Sequence, residues 1–300
     1  MPTFAGIAPP LVTPLTEQGE LDEPVLRRFV DYVVAGGVNG IVVLGSSGEA
    51  ALLHPRVRRR VIEVAVAAAN GRVPVIAGTG EPSTVLCVET TKAARGLGVT
   101  AAIVVPPFYY QLDQEAVKRH YRTVRDASDL PLLAYHIPGL TKVPVQLDTL
   151  LALAEDGTLS GVKDSAGEFG YYQRVIDGTR HLADFTALEG SDQFLFAGLA
   201  YGGDGAISVV SQVAPRVMVA LYNAGKAGDW ERAKQLHRQW QRVSAAIGPG
   251  WIPAVKGALS ALGVMGPAVA FPNVRWDDAK LAEQRVRIEK AQAEGLFEPA

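Results

Sequence analysis

Residues 132–163 read LLAYHIPGLTKVPVQLDTLLALAEDGTLSGVK, and this stretch decides the fold. It opens on Leu132-Leu133-Ala134-Tyr135 and closes on Gly161-Val162-Lys163, two short apolar runs. Between them Leu147, Leu150, Leu151 and Leu153 form an apolar stripe of helical spacing. A strand buried on both faces reads as a continuous apolar run, and parallel neighbours need a helical crossover. The stretch is therefore predicted to be one strand, helix, strand unit.

The pattern repeats on either side. Six further runs predict strands at Gly6 to Thr13, Gly40 to Leu44, Val73 to Ala77, Ala101 to Val105, Phe185 to Leu188 and Gly205 to Val209. The eight starts are 34, 33, 28, 31, 29, 24 and 20 residues apart, each enough for a helix and its loops. Helix punctuation fits: Asp22 caps a helix with Pro24 in its first turn and Gly36-Gly37 at its end, Pro55 opens another that stops at Asn70-Gly71, and Asp113 caps a third. Eight such units without a composition break predict an α/β fold, a (β/α)8 TIM barrel, with a doubly wound sheet as the alternative. After Ser211 the pattern is helical only, at Ala214 to Ala224, Asp229 to Ile247, Ile252 to Leu262 and Asp277 to Ala293. The expected organisation is a barrel carrying the catalytic site over residues 1–225 and a C-terminal helical extension over 226–300.

The composition narrows the function. With 48% hydrophobic and 20% charged residues among 300, the chain is an ordinary globular protein. Its 29 basic and 31 acidic residues leave a net charge of -2, which supplies no field for nucleic acid or an anionic membrane, so the expected partners are small molecules. Cys87 stands alone, which fits a reducing compartment, and packing is its expected role. No apolar run approaches the roughly 20 residues of a membrane helix. The start carries no basic segment followed by an apolar core. A soluble cytoplasmic enzyme is expected.

In a barrel the chemistry lies where strands end. Gly45-Ser46-Ser47-Gly48-Glu49 follows an apolar run, and its glycines, hydroxyls and amides suit a carboxylate or phosphate; a plain tight turn is the other reading. Of nine lysines only Lys163 ends a strand. Apolar surroundings favour the neutral amine, which attacks a carbonyl to form a Schiff base, whereas the plain structural reading pairs Lys163 with Asp164 or another carboxylate. Tyr135-His136-Ile137-Pro138 places a phenol able to shuttle a proton, or to fill the barrel, ahead of a stiff turn. The five histidines show no metal spacing, and no Walker loop or nucleophile elbow is present.

Taken in order, Pro10-Leu11-Val12-Thr13-Pro14, Gly45-Ser46-Ser47-Gly48-Glu49, Pro107-Phe108-Tyr109-Tyr110, Tyr135-His136-Ile137-Pro138 and Gly161-Val162-Lys163-Asp164-Ser165 resemble the dihydrodipicolinate synthase and N-acetylneuraminate lyase family of class I pyruvate-dependent aldolases. The resemblance covers nearly the whole chain. It implies a barrel with C-terminal helices, usually a homotetramer, in which Lys163 forms an imine with pyruvate and no metal or cofactor is needed. It also implies that Ser46, Ser47 and Gly48 hold the pyruvate carboxylate and that Tyr135, beside Ser47, moves the proton. Tyr109 then reaches into a neighbouring subunit's site, and the Ile207 carbonyl approaches the substrate.

Departures from the family bear on the aldehyde. The synthase branch carries an arginine two residues after the proline of its Tyr-Asn-x-Pro motif, where it grips the carboxylate of aspartate semialdehyde; here Leu140 offers no charge-assisted bond. Sugar-acid and sialic-acid aldolases of the family tolerate an apolar residue there. His136 replaces the usual asparagine, and Lys142, in place of glycine, offers another cation. Glu189 and Asp192, after the seventh strand, are expected to bond sugar hydroxyls, with helix capping at Phe194 the other reading of Asp192. The expected function is a Schiff-base lyase that cleaves or forms a 2-keto-3-deoxy sugar acid from pyruvate and an aldehyde. Alternatives are 4-hydroxy-tetrahydrodipicolinate synthase, a 2-keto-3-deoxy acid dehydratase and a non-catalytic barrel that binds a 2-keto acid.

Overall fold

The computed structural model describes residues 4–296, so the outermost ends of the two expected segments, 1–3 and 297–300, lie outside the described residues. In chain order the elements are β1 (Gly6–Ile7), α1 (Glu23–Ala35), β2 (Ile41–Val43), α2 (Pro55–Ala69), β3 (Val75–Gly78), α3 (Thr84–Gly96), β4 (Ala101–Val104), α4 (Gln114–Ser128), β5 (Leu132–His136), α5 (Pro138–Thr141), α6 (Leu147–Glu155), β6 (Gly161–Asp164) and α7 (Phe169–Thr179). There follow β7 (Thr186–Glu189), α8 (Leu195–Tyr201), β8 (Gly205–Ala206), α9 (Pro215–Lys226), α10 (Trp230–Ile247), α11 (Trp251–Ala261) and α12 (Asp278–Ala293). Each of the eight apolar runs carries a strand, and helices separate them as expected.

The chain divides into two compact units. The first comprises Pro74–Ile207 with the segment up to Gly6. In it β3 to β8 pair in parallel, each strand with the next in sequence. β4, β5, β6 and β7 are buried at every position, which is why they read as unbroken apolar runs. Tyrosines fasten helices to strands: Tyr121 of α4 donates to the Val104 carbonyl at 3.0 Å and Tyr172 of α7 to that of Ala187 at 2.8 Å. Cys87 of α3 is buried, and that burial pushes its thiol up to about 12, consistent with packing.

The second unit comprises Ile7–Val73 with the segment from Ser208 onward. Here Pro10 and Val42 form a parallel bridge. Asp22 caps α1 by accepting from the Val25 amide at 3.2 Å, and Asn70 closes α2 in the left-handed conformation. The buried amide of Gln284 donates to the carbonyls of Ile247 and Ala254, tying α12 to α10 and α11.

Two strands, β1 and β8, are cut to two residues each. The run from Gly6 yields only two ladder residues because Pro9, Pro10 and Pro14 have no N–H to donate. The run from Gly205 leaves the ladder after Ala206 and turns over Val210–Gln212, where Ser208 and Ser211 bond each other's backbone. No helix among the described residues is long and apolar enough to cross a membrane.

Candidate active site

β5 and β6 are registered so that Tyr135 stands opposite Lys163 and His136 opposite Asp164. Successive side chains of a strand point to opposite faces, so Tyr135 and Lys163 share one face while His136 and Asp164 share the other. The Lys163 amine lies 4.1 Å from the Tyr135 ring centroid, and the lysine is only 5% exposed. The pairing of Lys163 with Asp164 that the sequence left open does not form. Asp164 accepts from His136 Nδ1 and from the Ala166 amide, both at 3.0 Å, and His136 packs on Tyr171 with centroids 4.4 Å apart. Asp164 thus serves His136 and the turn behind β6, leaving the amine to its own face.

The same alternation sets the face that Glu189 takes. It is registered with Asp164, while Leu188 is registered with Lys163, so its carboxylate lies on the face away from the amine. Its Oε1 accepts from the amides of Gly190 and Ser191 at 3.0 and 2.9 Å. Burial, with help from the Asp164 charge, outweighs those amides and raises its pKa to about 8. Oε1 thus anchors the turn after β7, while the buried Oε2 has no hydrogen-bond partner among the described residues. Asp192 begins a short helical turn over Asp192–Phe194, and neither that turn nor α8 has a side-chain cap, so the capping reading is not realised. Gly190 lies directly against Lys163. The Ile207 amide donates to the Glu189 carbonyl at 2.9 Å, which seats Ile207 at the end of β8.

Pro138 opens the single helical turn α5 rather than an open loop. Leu140 stands on it 52% exposed, and the Lys142 amine folds back to donate to the Gly139 carbonyl at 2.7 Å, not outward as a free cation. Tyr109 is 86% exposed with φ of 84° and meets Tyr110 edge-on at 5.1 Å.

In the second unit, the turn Gly45 to Glu49 is held at several points. A β-carbon at Gly48 would stand 3.0 Å from the Leu44 nitrogen and 3.1 Å from the Leu11 carbonyl oxygen, a tight approach that glycine relieves. Thr13 donates to the Gly48 carbonyl at 2.7 Å. Glu49, with φ of 59°, accepts from the Ala270 amide at 2.8 Å, from Asn273 Nδ2 at 3.0 Å and from the Lys256 amine. Lys256 also donates to the Ala268 carbonyl at 2.7 Å, and burial lowers its pKa. Ser46 is half-buried; Ser47 is buried and accepts from the Trp251 indole N–H at 3.2 Å. The roles of Gly190, Trp251 and Lys256 were missed from sequence. Lys256 did leave a trace there, as the one charged residue of the apolar helix WIPAVKGALSA. Among the described residues no group of three His, Cys, Asp or Glu side chains is placed to hold a metal ion.

The sequence matches the dihydrodipicolinate synthetase family over residues 3–291. The chain belongs to the dihydrodipicolinate synthetase family. It is 37% identical to a 4-hydroxy-tetrahydrodipicolinate synthase of Phenylobacterium zucineum over 94% of this chain and 95% of that one. It is 41% identical to an uncharacterised DapA-like lyase of Halobacterium salinarum over 87% and 84% of the two chains. Among solved structures, a prophage protein of E. coli K12 from the same family, in complex with pyruvate, superposes with a TM-score of 0.91 at 28% identity, covering 96% of this chain and 99% of that one. The dihydrodipicolinate synthase of Thermotoga maritima also gives 0.91, at 31% identity over 98% and 100%. The fold is therefore a (β/α)8 barrel with C-terminal helices, and the chain is a class I pyruvate-dependent aldolase of the dihydrodipicolinate synthetase family.

Proposed function

We propose that Lys163 forms an imine with pyruvate and that Tyr135 handles the proton of the carbon-carbon step. The observation that carries this is the buried Lys163 amine 4.1 Å from the Tyr135 ring, with Asp164 engaged on the other face. The amine attacks C2 of pyruvate and water leaves. The protonated C=N draws electrons from C3, a proton departs, and the resulting enamine adds to an aldehyde carbon. The aldehyde oxygen takes a proton in that step, and Tyr135 is the proposed donor. Water then releases the product from Lys163; cleavage runs the same steps backward. Ser46 and Ser47 are the proposed holders of the pyruvate carboxylate, Gly48 letting their turn close, and the Ile207 carbonyl the proposed neighbour of the substrate. The exposed pair Tyr109 and Tyr110 supports contact with a second copy of the chain, in line with an oligomer.

For the aldehyde, several relatives named 4-hydroxy-tetrahydrodipicolinate synthase, at 35–38% identity, support condensation with aspartate semialdehyde ahead of the sugar-acid reading. One observation favours the second reading, cleavage of a 2-keto-3-deoxy sugar acid: Leu140 presents an apolar side chain, and Lys142 spends its amine on a backbone carbonyl. Borohydride reduction with pyruvate, followed by peptide mass measurement, tests the imine; an adduct on any lysine other than Lys163 refutes it. Rates with aspartate semialdehyde plus pyruvate, set beside pyruvate release from a panel of 2-keto-3-deoxy acids, decide between the two aldehydes.

A further inference from the structure

We propose that Trp251, at the head of the C-terminal helix α11, is a positioning residue that keeps the Ser47 hydroxyl facing its substrate as a hydrogen-bond donor. The inference deepens the proposed function and rests on the assignment of Ser47 to the pyruvate carboxylate. The contact joins residues 204 positions apart: the indole Nε1 of Trp251 lies 3.2 Å from Ser47 Oγ. An indole N–H only donates, whereas a hydroxyl has one proton and two lone pairs. The direction of the bond is thus fixed, and Ser47 receives. Its own proton stays available for an outside acceptor, and a hydroxyl that accepts one hydrogen bond donates the next more strongly. A carboxylate offers only acceptors and suits that proton.

The surroundings restrict what Trp251 can be doing. The turn bearing Ser47 already has independent anchors in Thr13 to Gly48 and in Glu49 to Lys256, Ala270 and Asn273, so the indole is not needed to hold the backbone there. The backbone of Trp251 itself is costly. It has φ of 46°, a region that large side chains avoid, and it follows Gly248 and Gly250, both also at positive φ. A β-carbon at Gly250 would stand 2.6 Å from the Trp276 ring, so that ring presses the turn into place. The tryptophan is left 42% exposed, an uneconomical position for packing alone and a fitting one for a side chain whose polar edge meets a buried hydroxyl.

The test is a double-mutant cycle read by pyruvate trapping. Wild type, Trp251→Phe, Ser47→Ala and the double variant are reduced with borohydride over a range of pyruvate concentrations, and the mass adduct is quantified. Trp251→Phe keeps the ring and loses the donor. It should raise the pyruvate concentration for half-maximal trapping about three- to tenfold while the plateau is unchanged. In the Ser47→Ala background the same change should have no effect, and Trp251→His, which retains a ring N–H, should recover part of the loss. A half-maximal concentration unchanged in Trp251→Phe overturns the proposal, as does an equal loss with and without Ser47. Both results leave the imine reading standing. Absence of any adduct in the wild type overturns both.

Discussion

Gly190 packs against Lys163: a β-carbon there would overlap the Ser165 hydroxyl and stand 2.9 Å from Lys163 Cε and 2.8 Å from the Asp164 carbonyl oxygen. Backbone cannot yield cheaply, so the Ser165 hydroxyl and the lysine side chain must both move. Gly190→Ala should therefore displace the amine and slow imine formation with pyruvate by roughly 100-fold, the scale of a misplaced reacting group. Borohydride trapping measures this, and a far-ultraviolet spectrum like that of the wild type separates displacement from unfolding.

Tyr135→Phe keeps the ring beside Lys163 and removes the proposed proton carrier. Trapping with pyruvate should persist, while the carbon-carbon step slows by roughly 100-fold or more. Turnover at the wild-type rate would reduce Tyr135 to a packing residue.

Leu140→Arg tests the aldehyde. Because position 140 is largely exposed, the longer side chain enters without overpacking. If the missing cation limits the use of aspartate semialdehyde, kcat/KM for its condensation should rise about tenfold to a hundredfold, the range of a hydrogen bond to a charged group. An unchanged value would show that the carboxylate is met elsewhere.

Glu189 ties stability to pH. Its carboxyl has a folded pKa near 8 against an ordinary 4.5, so between those values the folded chain keeps a proton that the unfolded chain has released. Stability should thus fall as pH rises through this window. Buried His120 works the other way, but only between its folded pKa of about 4 and the ordinary 6.5. From pH 6.5 to 8 the decline belongs to Glu189, and Glu189→Gln should flatten it in urea titrations at stepped pH.

The Lys256 to Glu49 pair is fully buried. Removing the cation strands a carboxylate, so Lys256→Met should cost about 3–5 kcal/mol in urea unfolding. Adding Glu49→Gln should cost less than the two single changes summed, because the partners are coupled.

The sequence by itself determined the order of strands and helices and that a lysine and a tyrosine lie near the ends of neighbouring strands. Those facts are local: unbroken apolar runs, caps such as Asp22 and Asp113, and stops such as Asn70 act within a few residues of themselves. Tertiary structure alone decided what each polar group touches. The register of β6 against β7 turned Glu189 away from Lys163, a difference of one residue that periodicity cannot resolve once both faces are apolar. Glu49 with Lys256 and Ser47 with Trp251 meet across 207 and 204 residues. Such contacts arise only when the helices after β8 fold back on the turn that follows β2, and no spacing in the sequence encodes that return.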